Sequence, residues 1–91
     1  MLPRTPNDPV ALGLAALAAT LGDGRRAQRF LDLTGIGTDE LRAKAADPRL
    51  LAALIAFLEA HEPDLIEVSE AVGVDPAALT EARRELEGGA P

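Results

Sequence analysis

Along the chain, apolar residues recur three and four positions apart, and the runs they form are cut by acidic residue–proline pairs and by glycines. After Asp47-Pro48 the side chains Leu51, Leu54, Ile55 and Leu58 fall at i, i+3, i+4 and i+7, which is one stripe of an α-helix, widened by Leu50 and Phe57. Leu65, Val68 and Val72 make a second stripe, and Leu79, Ala82 and Leu86 a third. Phe30, Leu33 and Ile36 are expected to anchor an earlier helix and its exit turn. The run from Val10 to Leu21 differs from all of these, because it carries no charge anywhere around its circumference.

The punctuation places the helix ends. Asp8-Pro9, Asp47-Pro48 and Asp75-Pro76 each put a carboxylate where it can accept the free amides of a first turn. A proline follows where its missing N–H costs nothing. Glu62-Pro63, Thr38 with Asp39 and Glu40, and Asp23 mark three further starts. Gly22, Gly35 and Gly73 stand where helices are expected to close in the left-handed conformation. The predicted helices are Pro9 to Leu21, Gly24 to Thr34, Asp39 to Ala46, Pro48 to His61, Pro63 to Val72 and Pro76 to Glu87. The fold expected is therefore all-α: a compact orthogonal bundle of five to six short helices, with the first and fourth at its centre. Residues 8–87 form a single helical domain between loose ends, 1–7 and 88–91.

A weak internal repeat runs through this pattern. Leu33-Thr34-Gly35-Ile36 and Ala71-Val72-Gly73-Val74 align without a gap, and Leu41 and Leu79 stand at the same distance beyond the glycine. Two copies fall short of a solenoid, so the match reads as convergence on one helix–helix corner.

Composition supports the helical assignment. Among 91 residues there are 18 Ala and 15 Leu against two Phe and no Trp or Tyr, a palette of strong helix formers with little that favours sheet. The chain has no cysteine, so disulfides, thiolate chemistry and zinc-finger frameworks are excluded, and a reducing cytoplasm is the expected location. Arg4 ahead of the uncharged run, with Ala16-Leu17-Ala18 as a nominal cleavage site, has the outline of a signal peptide. Asp8 cancels that charge, however, and Asp8-Pro9 serves better as a helix start.

The net charge of -6 is unevenly placed. Residues 1–50 hold seven bases and six acids, whereas residues 51–91 hold two bases and nine acids. Such a field repels nucleic acid and anionic lipid and attracts a basic partner. It also bears on the segment Leu65 to Leu86, which has a helix-turn-helix outline through Ser69, Gly73, Val74 and Leu79. The reading helix would begin Asp75, Pro76, Ala77, Ala78, with no Arg, Lys, Asn or Gln to meet base edges. Nucleic-acid binding is the alternative function, and packing of a helical corner is preferred.

Candidate chemistry is sparse. Arg25, Arg26 and Arg29 cluster at the start of the second helix, which suits either a solvated face or docking of an acidic partner. His61 is the only histidine, placed to meet the dipole at the end of the fourth helix, and a metal site with Glu59, Glu62 or Asp64 has no recognised ligand spacing. Ser69 is the only serine, with no third group to orient a base. No catalytic, cofactor-binding or metal-binding residue, no cofactor and no small-molecule substrate is therefore assigned. The uncharged first helix wants burial on every side, or else leaves a patch through Leu12, Leu14 and Leu17 for a second copy or another protein.

Arg29-Phe30-Leu31 with Leu33-Thr34-Gly35, then Leu41-Arg42, Asp47-Pro48, the stripe through Leu51, Leu54 and Phe57-Leu58, and Gly73-Val74-Asp75-Pro76 with Ala82-Arg83, span nearly the whole chain. In these residues the sequence resembles the small helical proteins of alphaproteobacteria grouped as domain of unknown function 3572. Gly37-Thr38 departs from the Asp-Pro start expected there in relatives. The resemblance implies a short cytoplasmic bacterial protein with no assigned activity, and it carries over no catalytic residue. The expectation is a non-catalytic interaction or regulatory protein acting through Leu12, Leu14 and Leu17 or through Arg25, Arg26 and Arg29, with no membrane partner.

Overall fold

Helices begin here where a first turn finds an acceptor or needs none. The computed structural model describes residues 8–89 as α1 (Pro9–Leu21), α2 (Gly24–Thr34), α3 (Thr38–Ala43), α4 (Pro48–Glu59), α5 (Glu62–Val72) and α6 (Pro76–Arg84), followed by one wider π turn, Glu85–Gly89. The expected arm, residues 1–7, and the last two residues of the expected tail lie outside the described residues. Among the described residues there is no strand, and the fold is all-α as expected. The radius of gyration, 12.3 Å, is that of one folded body of this length.

Asp8 accepts from the Val10 amide at 2.9 Å, Asp23 from Arg26 at 3.1 Å and Asp47 from Arg49 at 2.8 Å, so three of the expected caps are formed. Asp75 makes no such bond; its carbonyl instead accepts from the Ala78 amide at 2.9 Å, and Pro76 sets the first turn. Gly35 and Gly73 close α2 and α5 at φ 72° and 89°, conformations that glycine takes without strain. Gly22 follows α1 but stays right-handed at φ -73°, because its amide is satisfied by Ala18, Ala19 and Thr20 carbonyls of the preceding turn. Other ends move by one to three residues. α3 starts at Thr38, with Gly37 as its cap, and stops at Ala43; α5 starts at Glu62; and α6 gives way after Arg84 to the turn containing left-handed Gly88.

α1 and α4 lie at the centre. α1 packs on α2, α4, α5 and α6, while α4 packs on α1, α5, α6 and the final turn. They approach closely because of Gly13: a Cβ there would stand 3.0 Å from the Leu51 Cβ. Leu51, Leu54, Ile55 and Leu58 are fully buried, each contributing about 1.5 to 3 kcal/mol of transfer free energy. The expected stripe on α2 needs one correction, since Leu33 is 72% exposed. Asp32 to Gly35 are all exposed, so the last turn of α2 overhangs the core; Phe30 alone of the three expected anchors is fully buried, with Ile36 half-buried beyond the turn.

Candidate functional site

Two features expected to reach a partner, the first helix and the arginine cluster, are placed differently by the fold. On α1, Leu12 and Leu17 are each 4% exposed and belong to the core, so they are removed from any surface. Leu14 and Leu21 are 37% and 39% exposed, and Ala18 between them also faces outward. Leu14, Ala18 and Leu21 fall at i, i+4 and i+7, a narrow apolar stripe on a helix that is otherwise enclosed. Thr20, at the inner side, is fully buried and donates its hydroxyl to the Ala16 carbonyl at 2.8 Å.

The arginine cluster is divided: Arg25 and Arg29 are exposed and Arg26 is buried. Arg26 is buried, and its Nε donates to Asp64 of α5 at 2.9 Å while its terminal nitrogen reaches Glu67. Arg29 donates to the other oxygen of Asp64 and lies over the ring of Phe57, with 5.4 Å from Cζ to the ring centroid. Phe57 in turn meets Phe30 edge-on, with centroids 5.4 Å apart and planes at 65°. Arg25 is exposed and forms no ion pair among the described residues. A buried charge requires such partners, and here two arginines and two carboxylates satisfy one another. Burial pulls the Arg26 guanidinium towards deprotonation, but its bonds to Asp64 and Glu67 more than offset this and raise its pKa above the ordinary value.

An open cleft of about 640 Å³ follows this clamp along α2 and α5, with Arg25, Gln28, His61 and Pro63 on its rim. Its arginines Arg25, Arg26 and Arg29 are matched by Asp23, Asp64 and Glu67, so the cleft has no net charge with which to hold an anion. His61 is exposed, in extended conformation between α4 and α5, and its amide donates to the Leu58 carbonyl at 3.0 Å. Ser69 is buried and donates to the Ile66 carbonyl of its own helix at 3.0 Å. Among the described residues no three acidic or histidine side chains gather to hold a metal ion, and no buried side-chain nitrogen or oxygen lacks a partner.

A second ionic group ties α4 to α6. Glu59 accepts from Arg83 and from the Thr80 hydroxyl at 2.6 Å, and Arg83 also reaches Glu87 at 2.9 Å. The Arg83–Glu87 pair was legible as an i, i+4 spacing; its extension to Glu59 was not. Asp64 was also missed as a buried residue. The signal was available in principle, because Asp64 stands in α5 where Arg26 stands in α2, each nine residues before the glycine that closes its helix.

These features define a small all-α bundle with Arg26 and Asp64 paired inside it and the apolar side chains Leu14, Leu21, Leu33 and Ile66 exposed. The chain belongs to the family described as Protein of unknown function (DUF3572), whose model matches residues 6–89. No curated protein and no solved structure matches it at a significant level. Among the described residues no helix is long and apolar enough to cross a membrane.

Proposed function

We propose that this is a non-catalytic interaction or regulatory protein of the bacterial cytoplasm, which binds another protein or a second copy through the outer stripe of α1. The observation that supports it is the exposure of Leu14 and Leu21, at 37% and 39%, on a helix with no charged residue between Val10 and Leu21. Apolar side chains aligned on one face remain exposed at a cost that a partner relieves. The acidic second half of the chain favours a partner with a basic rim over nucleic acid or anionic lipid. An enzyme's constellation would need a nucleophile or base held beside a substrate pocket, and Ser69 and His61 are instead spent on helix backbone and solvent.

The test is Leu14→Asp with Leu21→Asp in the full chain. Neither side chain is in the core, so the thermal midpoint should move by no more than about 2 °C. Self-association in light scattering, or capture of a partner by the parent protein, should be lost in the double variant. A parent that is strictly monomeric and captures nothing, or a double variant that still binds, removes the proposal. A mobility shift with DNA at low salt would favour the nucleic-acid alternative instead.

A further inference from the structure

Every pair among α1, α4, α5 and α6 is packed, and the final turn lies against α1, α4 and α6, so these elements form a body complete in itself. α2 and α3 stand apart from it. Among the described residues α2 packs closely on α1 alone, and α3 closely on none of the helices. From Asp32 to Lys44 only Leu41 is buried, with Ile36 half-buried. The two helices leave α1 through Gly22-Asp23-Gly24, where all three residues are exposed, and rejoin the body through Lys44 to Asp47. Few buried side chains behind a long exposed stretch mark a segment that opens ahead of global unfolding.

The surface under α2 is matched to it in charge. α2 is the most basic helix, with three arginines and one aspartate, and α5 is the most acidic, with four carboxylates and no base. Arg26 and Phe30 lie on one face of α2 at i and i+4, with Arg29 beside them. They meet Phe57 of α4 and Asp64 and Glu67 of α5: Phe30 edge-on to Phe57, Arg29 over the same ring and bonded to Asp64, and Arg26 bonded to both carboxylates. An aromatic anchor flanked by charges is how a groove takes up an amphipathic helix from a partner. Here the helix in the groove is the chain's own.

We infer that α2–α3 is a strap over a complete four-helix body, and that the surface of Phe57, Asp64 and Glu67 is a docking site for a partner helix of the same chemistry as α2: arginines at i and i+3 and an aromatic residue at i+4. The partner binds where the strap has lifted, so the strap lowers its apparent affinity by the fraction of chains that are open. The nine acids against two bases in residues 51–91 draw a basic helix towards this body and repel an acidic one. None of the three docking residues belongs to the stripe on α1, so this site is independent of the reading above.

The probe is a fluorescent peptide running from Asp23 to Ile36, titrated against full-length chains. Arg26→Gln with Arg29→Gln loosens the strap and leaves the docking residues in place. This variant should bind the peptide at least about tenfold more tightly than the parent, as read by anisotropy. Adding Asp64→Asn and Glu67→Gln should abolish that gain, although the strap is held no better. In the parent, amides of α2 and α3 should exchange at least about tenfold faster than those of α4, and Arg26→Gln with Arg29→Gln should widen the gap without lowering protection in α4. Equal protection in α2, α3 and α4, a variant that unfolds as a whole, or a peptide that binds neither chain or both alike overturns the inference. Break-up of a parent dimer by the peptide would seat a second copy's α2 on this surface and overturns the assignment to a separate partner.

Discussion

Two of the contacts between the first three helices and the last three are built on opposite chemistry. Where α4 faces α1, the side chains are Leu51 against Gly13, within a core that includes fully buried Leu54, Ile55 and Leu58. Where α5 meets α2, the contact is made by buried Arg26 and Asp64 with Arg29 and Glu67 at its exposed edge. The apolar contact gains free energy in proportion to the area removed from water and discriminates little between partners. The ionic contact returns little net free energy after desolvation, but a wrong pairing there is strongly penalised. Stability therefore resides chiefly in α1 and α4, and the choice of which surfaces meet resides in α2 and α5.

The largest effect expected from this contrast is at the apolar contact. Leu54→Ala should cost about 4 kcal/mol, since the site is fully enclosed and can collapse only partly, and urea denaturation measures it. Asp64→Ala should cost about 2 kcal/mol, less than the 3 to 5 of a fully orphaned buried charge because Glu67 still holds Arg26. The sharper comparison is the double replacement Arg26→Met with Asp64→Leu. It should recover most of that loss, because an apolar pair of similar volume needs no desolvation repaid. A double variant less stable than Asp64→Ala would show that the clamp itself is a major source of stability and would break the distinction.

The apolar half of this contrast was legible in the sequence and the ionic half was not. Leucines at i, i+3, i+4 and i+7 in α4, the aspartate–proline starts and the two left-handed glycines each signal structure through spacing within one helix. Leu33 shows the limit of spacing: it falls in register with the buried face of α2, yet the last turn of that helix has no neighbour to cover it. Arg26 and Asp64 show a different limit. Each looks like an ordinary surface charge on its own helix, and only the juxtaposition of α2 and α5, 38 residues apart in sequence, buries them together. Leu14 and Leu17 lie on the same uncharged helix, and no local pattern decides which of them enters the core and which meets solvent.

The smallest effect separates α2 from α4 through their caps. The Arg26 amide donates to the Asp23 carboxylate and, against a smaller opposing effect of burial, holds its pKa below the ordinary 3.8; the Arg49 amide does the same for Asp47. A carboxylate depressed in the folded state stabilises it above the ordinary value, and that contribution is lost as the pH falls through the lower folded value. The same loss should be felt unequally. α4 keeps six buried side chains behind Asp47, whereas α2 keeps only Arg26 and Phe30 behind Asp23. As the pH falls below the ordinary carboxylate value, amides in the first turns of α2 should therefore lose hydrogen-exchange protection before those of α4. Asp23→Asn retains a capping oxygen without the titrating charge, and should flatten the pH dependence in α2 while leaving α4 unchanged. Simultaneous loss in both helices would mean that the clamp on α5 anchors α2 as firmly as the core anchors α4.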